Sequence, residues 1–195
     1  MKSLMQQMLG PDWDRLSPAL QAHHRLGRAN EIGHMDIDYP RFMQPVLTLL
    51  RLFGALVNRR DRRVSTVVEK TFEVDRQHWR RIIRYADGKV IHFNSYWVLA
   101  TPGEVIEFVN PILGLQMAPY VDGSKLKFRG VRFVLKLGPR LIPIPEWLAL
   151  GHTTIVEEAV DEKHFAMDFR LRHPLLGEVF RYSGEFQTIA AEQAD

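Results

Sequence analysis

The sequence contains no cysteine, so disulfides and thiolate metal sites are excluded and nothing points to an oxidising compartment. We therefore expect a cytoplasmic location. Long apolar runs are missing as well. The most apolar window, residues 46–57, is interrupted by Thr48 and Arg51, and a membrane-spanning helix needs about 20 consecutive apolar residues. Residues 1–16 also lack the continuous apolar segment of a signal peptide.

The common motifs of catalysis and cofactor binding are absent. The sequence has no Gly-x-Gly-x-x-Gly fingerprint, no Gly-x-Ser-x-Gly nucleophile elbow, and neither a His-x-His nor a His-Glu-x-x-His spacing. Eight histidines are scattered along the chain, and only His23 and His24 are adjacent. We therefore predict no cofactor and no metal site, and the catalytic residues, if any, stay unknown.

A strong excess of one charge is also missing. Lysine and arginine total 26 against 23 aspartates and glutamates, a net charge of +3, so we expect no nucleic-acid partner. Positive charge is concentrated only at Arg59, Arg60, Arg62 and Arg63. Such a run is typical of a solvated helix end, and the alternative is contact with phosphate, an anionic membrane or an acidic partner surface.

What is present first is a helical pattern. Ser17 followed by Pro18 predicts one helix start, and Pro40 predicts another. After Pro40, apolar residues recur at steps of three and four, namely Phe42, Met43, Val46, Leu49, Leu50, Phe53 and Leu56. We expect residues 1–63 to be a helical segment packed on a sheet, with 27–38 as a loop or a short ordered arm. The alternative is that 40–63 rests on a membrane surface.

From Val64 onward the apolar period changes to two, which predicts strands. Asp87-Gly88 predicts a tight hairpin, and the other connections are short, so neighbouring strands should be antiparallel. About nine such strands cannot form one flat sheet with an uncovered apolar face. We therefore predict a mainly β protein with N-terminal helices, in which residues 64–195 form an antiparallel meander closed into a barrel or strongly curved. The whole chain should be one compact domain.

Two segments suggest how a ligand could be held. Residues 139–147 carry three prolines among apolar residues and end at Trp147, so we expect a stiff loop or a short helix. It would cover a barrel mouth, and ordinary packing of the barrel end is the alternative. In the strand 178–189, Phe180, Tyr182 and Phe186 share one face, and Gly184 leaves a gap on it. That gap should be filled by a neighbouring ring, by backbone or by a ligand.

Arg81 is the residue most directly suggestive of a site. It shares a face with Trp79, and if that face is inward, the buried cation needs a carboxylate or an anionic ligand opposite it. Glu107 and Glu157, each flanked by apolar residues at two-residue spacing, are the candidate partners. The predicted ligand-binding residues are Trp79, Arg81, Glu107, Trp147, Glu157 and Tyr182. A structural salt bridge is the alternative.

Four stretches, LGPDWDRLSPALQAHH, HWRRII, HFNSYW and HPLLGEVFRYSGEF, together resemble a bacterial domain-of-unknown-function family, number 4166, over nearly the whole chain. The residues that match its pattern are Trp79, Arg80, Phe93, Ser95, Pro174, Gly177, Tyr182 and Gly184. The chain departs from the pattern in having WRRII where a phenylalanine is expected soon after the arginine. Some members look appended to a saccharopine-dehydrogenase-like oxidoreductase, so the resemblance implies an oxidoreductase as a possible partner.

Three hypotheses follow for the function. In the first, a barrel binds a small apolar or lipid-like molecule with an anionic group, anchored by Arg81. In the second, Tyr182, Arg81 and Glu107 or Glu157 serve an enzyme or accessory domain acting with a partner oxidoreductase. In the third, residues 40–63 associate peripherally with a membrane surface. The oligomeric state has no signal in the sequence.

Overall fold

The computed structural model describes residues 2–73 and 75–190, which form an antiparallel β-barrel with short helices at both ends. The helices are α1 (Leu4–Leu9), α2 (Pro18–His24) and α3 (Gln44–Leu52). Short 3-10 segments cover Gly10–Arg15, Arg41–Met43 and Glu146–Leu148. The Ser17 hydroxyl caps α2 by accepting from the Leu20 amide, as the sequence predicts.

Eleven strands lie within the described residues. They are β1 (Ala29–Asp38), β2 (Asp61–Glu73), β3 (Arg76–Arg84), β4 (Val90–Leu99), β5 (Val105–Phe108), β6 (Leu113–Asp122), β7 (Lys125–Leu137), β8 (Arg140–Ile144), β9 (His152–Ala159), β10 (His164–His173) and β11 (Gly177–Ala190). Ten of them close the barrel, because β6 pairs with β7, β7 with β9, and β11 with β1. Strand β8 is an additional edge strand paired only with β7. The predicted antiparallel barrel is confirmed.

The prediction that residues 27–38 form a loop or a short ordered arm is wrong. Residues 29–38 are strand β1, which lies between β2 and β11 and completes the barrel. Its alternation is hidden in the sequence because the inward positions include Glu31 and Gly33 among the apolar Met35 and Ile37. The loop or short helix predicted for the proline-rich segment is right for 146–148, which is a 3-10 helix, and wrong for 140–144, which is strand β8. Its Pro143 is tolerated because β8 is at a sheet edge.

The arginine cluster does not lie at a helix end, because α3 ends at Leu52 and β2 begins at Asp61. Arg59 pairs with Asp87 and packs on the Tyr85 ring, and Arg60 donates to the Tyr39 carbonyl. The two cations are thus held against the barrel by local contacts.

Helix α3 buries less of its apolar stripe than expected. Met43 and Leu47 are buried and Leu50 is half-buried, whereas five of the large apolar residues around the helix are exposed. The exposed ones are Phe42, Val46, Leu49, Leu52 and Phe53. The helix therefore packs on the barrel through a narrow strip only.

The two ends of the barrel differ. The strand connections that contain α3 and the segments 85–89, 109–112, 138–151 and 174–176 lie at one end, which we call the α3 end. At the opposite end, α1 packs on β6, and α2 packs on β9, β10 and β11. Because α2 ends with His23 and His24 buried, it inserts two imidazoles into the barrel interior.

Candidate ligand cavity and buried polar cluster

An apolar cavity of about 340 Å³ lies inside the barrel at the α3 end. It is lined by residues of α3, the segment after it, β4–β7, β8, the 149–150 turn, β10 and β11, namely Val46, Leu50, Ala55, Leu56, Phe93, Glu107, Val109, Leu113, Gly114, Leu115, Phe133, Val134, Ile144, Ala149, Leu150, Phe169, Leu171 and Tyr182. Only Glu107 and Tyr182 contribute polar side-chain groups. The volume falls in the range of small-molecule sites, roughly 300–1,000 Å³.

Arg81 and Glu107 form the ion pair that the sequence suggests. The strand register carries the Trp79 face of β3 inward, so both Trp79 and Arg81 are buried. One Arg81 nitrogen donates to Glu107 Oε1 at 3.2 Å, and another donates to Ser95 Oγ at 2.8 Å. Ser95 in turn donates to the same Glu107 oxygen at 2.6 Å. Ser95 thus belongs to a three-membered network that sequence reasoning did not assign.

Tyr182 stands between the apolar cavity and this network. Its ring stacks on Phe169 with centroids 4.6 Å apart and an interplanar angle of 6°. Burial raises the pKa of Tyr182, and so does the Glu107 carboxylate, whereas Arg81 lowers it; the phenol therefore stays protonated at neutral pH. Its hydroxyl has no hydrogen-bond partner among residues 2–73 and 75–190. Tyr182 is therefore a free donor and acceptor at a cavity wall.

The gap at Gly184 is filled by a neighbouring ring and by backbone. A Cβ built at Gly184 would lie 2.4 Å from the His34 carbonyl oxygen and 2.9 Å from the Phe186 ring. A Cβ at Gly33 would meet the same ring at 2.8 Å. The Phe186 ring therefore lies over both glycines, which allow β1 and β11 to approach it closely. The sequence left three alternatives for the space beside Gly184, a ring, backbone or a ligand, and the structure shows the first two.

Glu157, the other predicted partner of Arg81, lies in a separate buried cluster. His24 Nε2 is 2.7 Å from Glu157 Oε2, and His23 Nε2 is 3.5 Å from Glu157 Oε1. The other nitrogen of His23, Nδ1, is 2.5 Å from Glu31 Oε1. Lys70 completes the cluster, because its ammonium donates to the His23 carbonyl oxygen. All five side chains are buried.

The two adjacent imidazoles have opposite pKa shifts. Burial alone would lower the pKa of His23, but the Glu31 and Glu157 carboxylates outweigh it and raise that pKa to about 9. Burial and the charge of His23 outweigh the opposing Glu157 carboxylate and lower the pKa of His24 to about 4. Burial opposes ionisation of Glu157, yet the two imidazoles hold its pKa well below the ordinary range. Burial also lowers the pKa of Lys70, against the attraction of Glu31 and Glu157.

A small cavity of about 30 Å³ separates the cluster from the Arg81 network. Among its lining residues are His23, Glu31 and Glu157 from the cluster, together with Arg81, Glu107 and Tyr182. The barrel interior is therefore polar at its centre and apolar toward the α3 end. The sequence carried two weak signals for the cluster: the His23–His24 pair, and Lys70 in phase with the inward-facing Val68.

Trp147 does not belong to the cavity. The residue is 64% exposed in the 3-10 segment at 146–148, and its carbonyl oxygen accepts from His173 Nε2 at 3.0 Å. The cavity wall near it is made instead by Ile144, Ala149 and Leu150. Trp147 therefore stands outside the mouth that it was predicted to cover.

None of the helices in the described ranges combines the length and the apolar character that a transmembrane segment requires.

The fold and its interior define an antiparallel, ten-stranded barrel with a buried polar centre and an apolar cavity. The chain belongs to the domain of unknown function family DUF4166, whose profile matches residues 16–186. A comparison with curated protein sequences finds no match. Among solved structures, the apo crystal structure of Caenorhabditis elegans lipid binding protein 8 is similar, with 12% identity, a TM-score of 0.36, and coverage of 84% of this chain and 94% of that chain. The cytoplasmic location and the oxidoreductase partner stay predictions.

Proposed function

We propose that the protein binds one apolar, lipid-sized molecule inside the barrel, with an anionic head group directed toward Tyr182 and Arg81. The observation that carries this proposal is the cavity of about 340 Å³, whose lining is apolar except for Glu107 and Tyr182. A hydrocarbon chain is the occupant that such a wall favours, because burial of apolar surface stabilises a complex by about 25 cal/mol per Å².

Arg81 and Tyr182 have hydrogen-bond donors that could bind an anionic head group. A guanidinium has five N–H donors, and the structure gives Arg81 two hydrogen bonds, to Ser95 and to Glu107. The Tyr182 hydroxyl has no partner within the described residues. Arg81 and Tyr182 also line a common recess of about 10 Å³ beside Phe93. Glu107 and Tyr182 line the apolar cavity, whereas Arg81 lines the recess and not that cavity. A carboxylate or phosphate oxygen that passes from the cavity along Tyr182 into the recess would meet both donors, away from the Glu107 carboxylate.

The proposal is tested by titrating a fluorescent 18-carbon fatty acid into purified, delipidated protein. Leu50→Trp places a large ring at the cavity wall, so we expect the Kd to rise at least about tenfold through steric exclusion. Tyr182→Phe removes one head-group hydrogen bond, so we expect the Kd to rise by about three- to tenfold. The same Tyr182→Phe change should leave the Kd for the corresponding 18-carbon hydrocarbon unchanged, because that ligand has no head group.

The matched control is Leu49→Trp, which adds the same ring one residue earlier on α3, at an exposed position outside the cavity lining. Its Kd should equal that of the wild type. An equal rise in Kd in Leu49→Trp and Leu50→Trp would contradict binding in the cavity. If a fatty alcohol binds as tightly as the acid, the requirement for an anionic head group is ruled out and only the binding of an apolar ligand is retained. We avoid Arg81→Leu, because it would leave Glu107 buried and unpaired.

The exposed face of α3 favours a second candidate function, peripheral association with an anionic membrane surface. Leu52 is 79% exposed, and Phe42, Leu49 and Phe53 are exposed beside it. Arg41, Arg62 and Arg63 are exposed at the same end of the barrel. An apolar face flanked by cations is typical of segments that rest in a headgroup region. Val46 and Leu50 of the same helix line the cavity, so this face adjoins the proposed ligand site.

We expect the wild type to float with vesicles of neutral and anionic phospholipid, and the double change Leu52→Ser/Phe53→Ser to abolish most of the floating fraction. Each removed apolar side chain withdraws about 1.5–3 kcal/mol of burial from the bound state. Val160→Ser, an exposed apolar position at the opposite end, is the control and should float like the wild type. Absence of flotation in the wild type would rule the candidate out. An equal loss of flotation in Val160→Ser would show that the loss is not specific to the α3 face, and would also rule it out.

A further inference from the structure

Three buried side chains in the polar cluster present metal-ligating atoms to one another. His23, His24 and Glu157 each offer one ligand atom, and these atoms all lie within 4.8 Å of one another. The ligands come from the end of α2 and from β9, so only the closed barrel assembles them. We propose that His23, His24 and Glu157 bind a divalent first-row transition metal ion, with Zn²⁺ the ion tested first.

The donor set suits such an ion chemically. Two imidazoles and one carboxylate are ligands typical of Zn²⁺ and of non-haem Fe²⁺ centres. Two ligand atoms that share a tetrahedral Zn²⁺ at about 2.0–2.2 Å lie roughly 3.3 Å apart. Glu157 Oε2 lies 2.7 Å from His24 Nε2, and the other oxygen, Oε1, lies 3.5 Å from His23 Nε2. These separations and the 4.8 Å limit on all three ligand atoms are close enough to that spacing for a small rotation of the Glu157 carboxylate to complete the ligand set.

The surroundings orient one ligand as metal sites require. His23 Nδ1 contacts the Glu31 carboxylate, which leaves Nε2 to face Glu157. A histidine ligand that donates its second ring nitrogen to a carboxylate is fixed in tautomer and orientation, and its basicity rises. Glu31 and Glu157 also contribute two negative charges against the single positive charge of Lys70. Because His23 must release its Nε2 proton before that nitrogen can bind a metal ion, the ion replaces the proton at a site where the remaining charges sum to −1 and favour a cation.

The site would keep one open coordination position. The cavity of about 30 Å³ touches His23 and Glu157 on one side and Arg81 and Tyr182 on the other. That space accommodates about one water molecule. Three protein ligands with one free position are the arrangement of ions that bind or activate a small molecule, whereas structural zinc sites are closed by four protein ligands.

The test uses the chelator-treated full chain without an affinity tag. We expect calorimetry to show one equivalent of Zn²⁺ binding with a Kd of about 1 µM or lower. Co²⁺ should bind in competition with Zn²⁺ and quench tryptophan fluorescence, because the Trp97 and Trp79 rings lie 6.0 and 6.4 Å from the His24 ring. This readout needs no substitution. Failure of wild-type protein to bind either ion, or binding without Co²⁺-specific quenching, would overturn the proposal.

Ligand assignment uses His24→Gln, whose amide can still donate to Glu157 and so preserves the fold, but which is a poor metal ligand. We expect its Kd for Zn²⁺ to rise about 100-fold. The control is His164→Gln, which removes an exposed histidine that contacts Asp161. Its Kd should not change. Equal losses in the two variants would show binding at surface histidines and overturn the site. Leu50→Trp should keep full Zn²⁺ affinity, which separates this inference from the proposed ligand cavity.

Discussion

In buffer that contains a chelator, the free energy of unfolding should fall by roughly 3 kcal/mol as the pH rises from about 6.5 to about 9. The cause is His23, whose pKa is raised from 6.5 to about 9 by Glu31 and Glu157 against the effect of burial. Between these two values the folded state binds a proton that the unfolded state has released. The stabilisation is fully present below pH 6.5 and disappears as the pH rises through the folded-state pKa.

Below about pH 6.5 the free energy of unfolding should change with pH in the opposite direction, for a different reason. Burial lowers the pKa of His24 to about 4, so between about pH 6.5 and 4 the unfolded state binds a proton that the folded state does not. Stability therefore falls as the pH falls through this window, and the depressed pKa of Glu157 adds to the loss at still lower pH. The two histidines together place the stability maximum near pH 6.5.

Urea denaturation at constant ionic strength, followed from pH 5 to pH 9, measures both changes. Glu31→Gln is the matched variant, because it removes one carboxylate that holds the His23 proton and keeps a hydrogen-bonding side chain. We expect the alkaline loss to shrink in this variant by at least about half. A flat profile between pH 6.5 and 9 in the wild type, or an unchanged slope in Glu31→Gln, would contradict a protonated His23.

The barrel and one half of its interior could be predicted because both depend on a period of two. Alternation along β3 places Arg81 on the Trp79 face, and an inward arginine requires a carboxylate, so the sequence alone suffices to name Glu107 and Glu157 as candidates. The structure shows that Glu107 is the partner. Glu157 satisfied the same sequence criterion but pairs with His23 and His24. Alternation says which face a residue occupies, and it does not say at which height in the barrel it lies.

The polar cluster could not be assembled from the sequence, because its two weak signals, the His23–His24 pair and the phase of Lys70, do not show which carboxylates these residues meet. His23 and His24 lie in a helix, Glu31 lies in a strand that resembled a loop, and Glu157 lies far along the chain. Strand β1 was missed for the same reason that the cluster exists: its inward face carries a glutamate and a glycine in place of apolar residues. Strand β1 thus has an incompletely apolar inward face, and it carries both Glu31 of the cluster and Gly33, at which β1 and β11 approach closely.

The α3 surface shows a related limit. Its three- and four-residue spacing predicts an amphipathic helix correctly, but burial of the stripe was inferred on the assumption that apolar faces pack inward. Leu47 follows that assumption, whereas Leu49 and Leu52 do not. A spacing pattern cannot tell whether the apolar face meets the protein's own core, a ligand or a membrane. The cavity beneath Val46 and Leu50 supplies the context that the pattern lacks.

Gly33→Ala should destabilise the protein by about 3 kcal/mol or more, the upper range for overpacking of a well-packed interior. A Cβ at this position would lie 2.0 Å from the Glu185 carbonyl oxygen and 2.8 Å from the Phe186 ring. The ring could shift, but the carbonyl belongs to the ladder that joins β1 to β11 and closes the barrel. The new methyl group can therefore be accommodated only by moving the strands apart, which is why the loss should exceed that of an ordinary glycine change.

Gly123→Ala is the control for backbone conformation alone. Gly123 has a φ of +63° in the β6–β7 turn and no atom within 4 Å of a Cβ, so we expect a loss of about 1 kcal/mol. Equal losses in the two variants would contradict the close approach at Gly33. Because Gly33 is two residues from Glu31 on β1, separating β1 from β11 should also move Glu31 from His23. Gly33→Ala should then weaken the alkaline pH dependence of stability, which Gly123→Ala should leave intact.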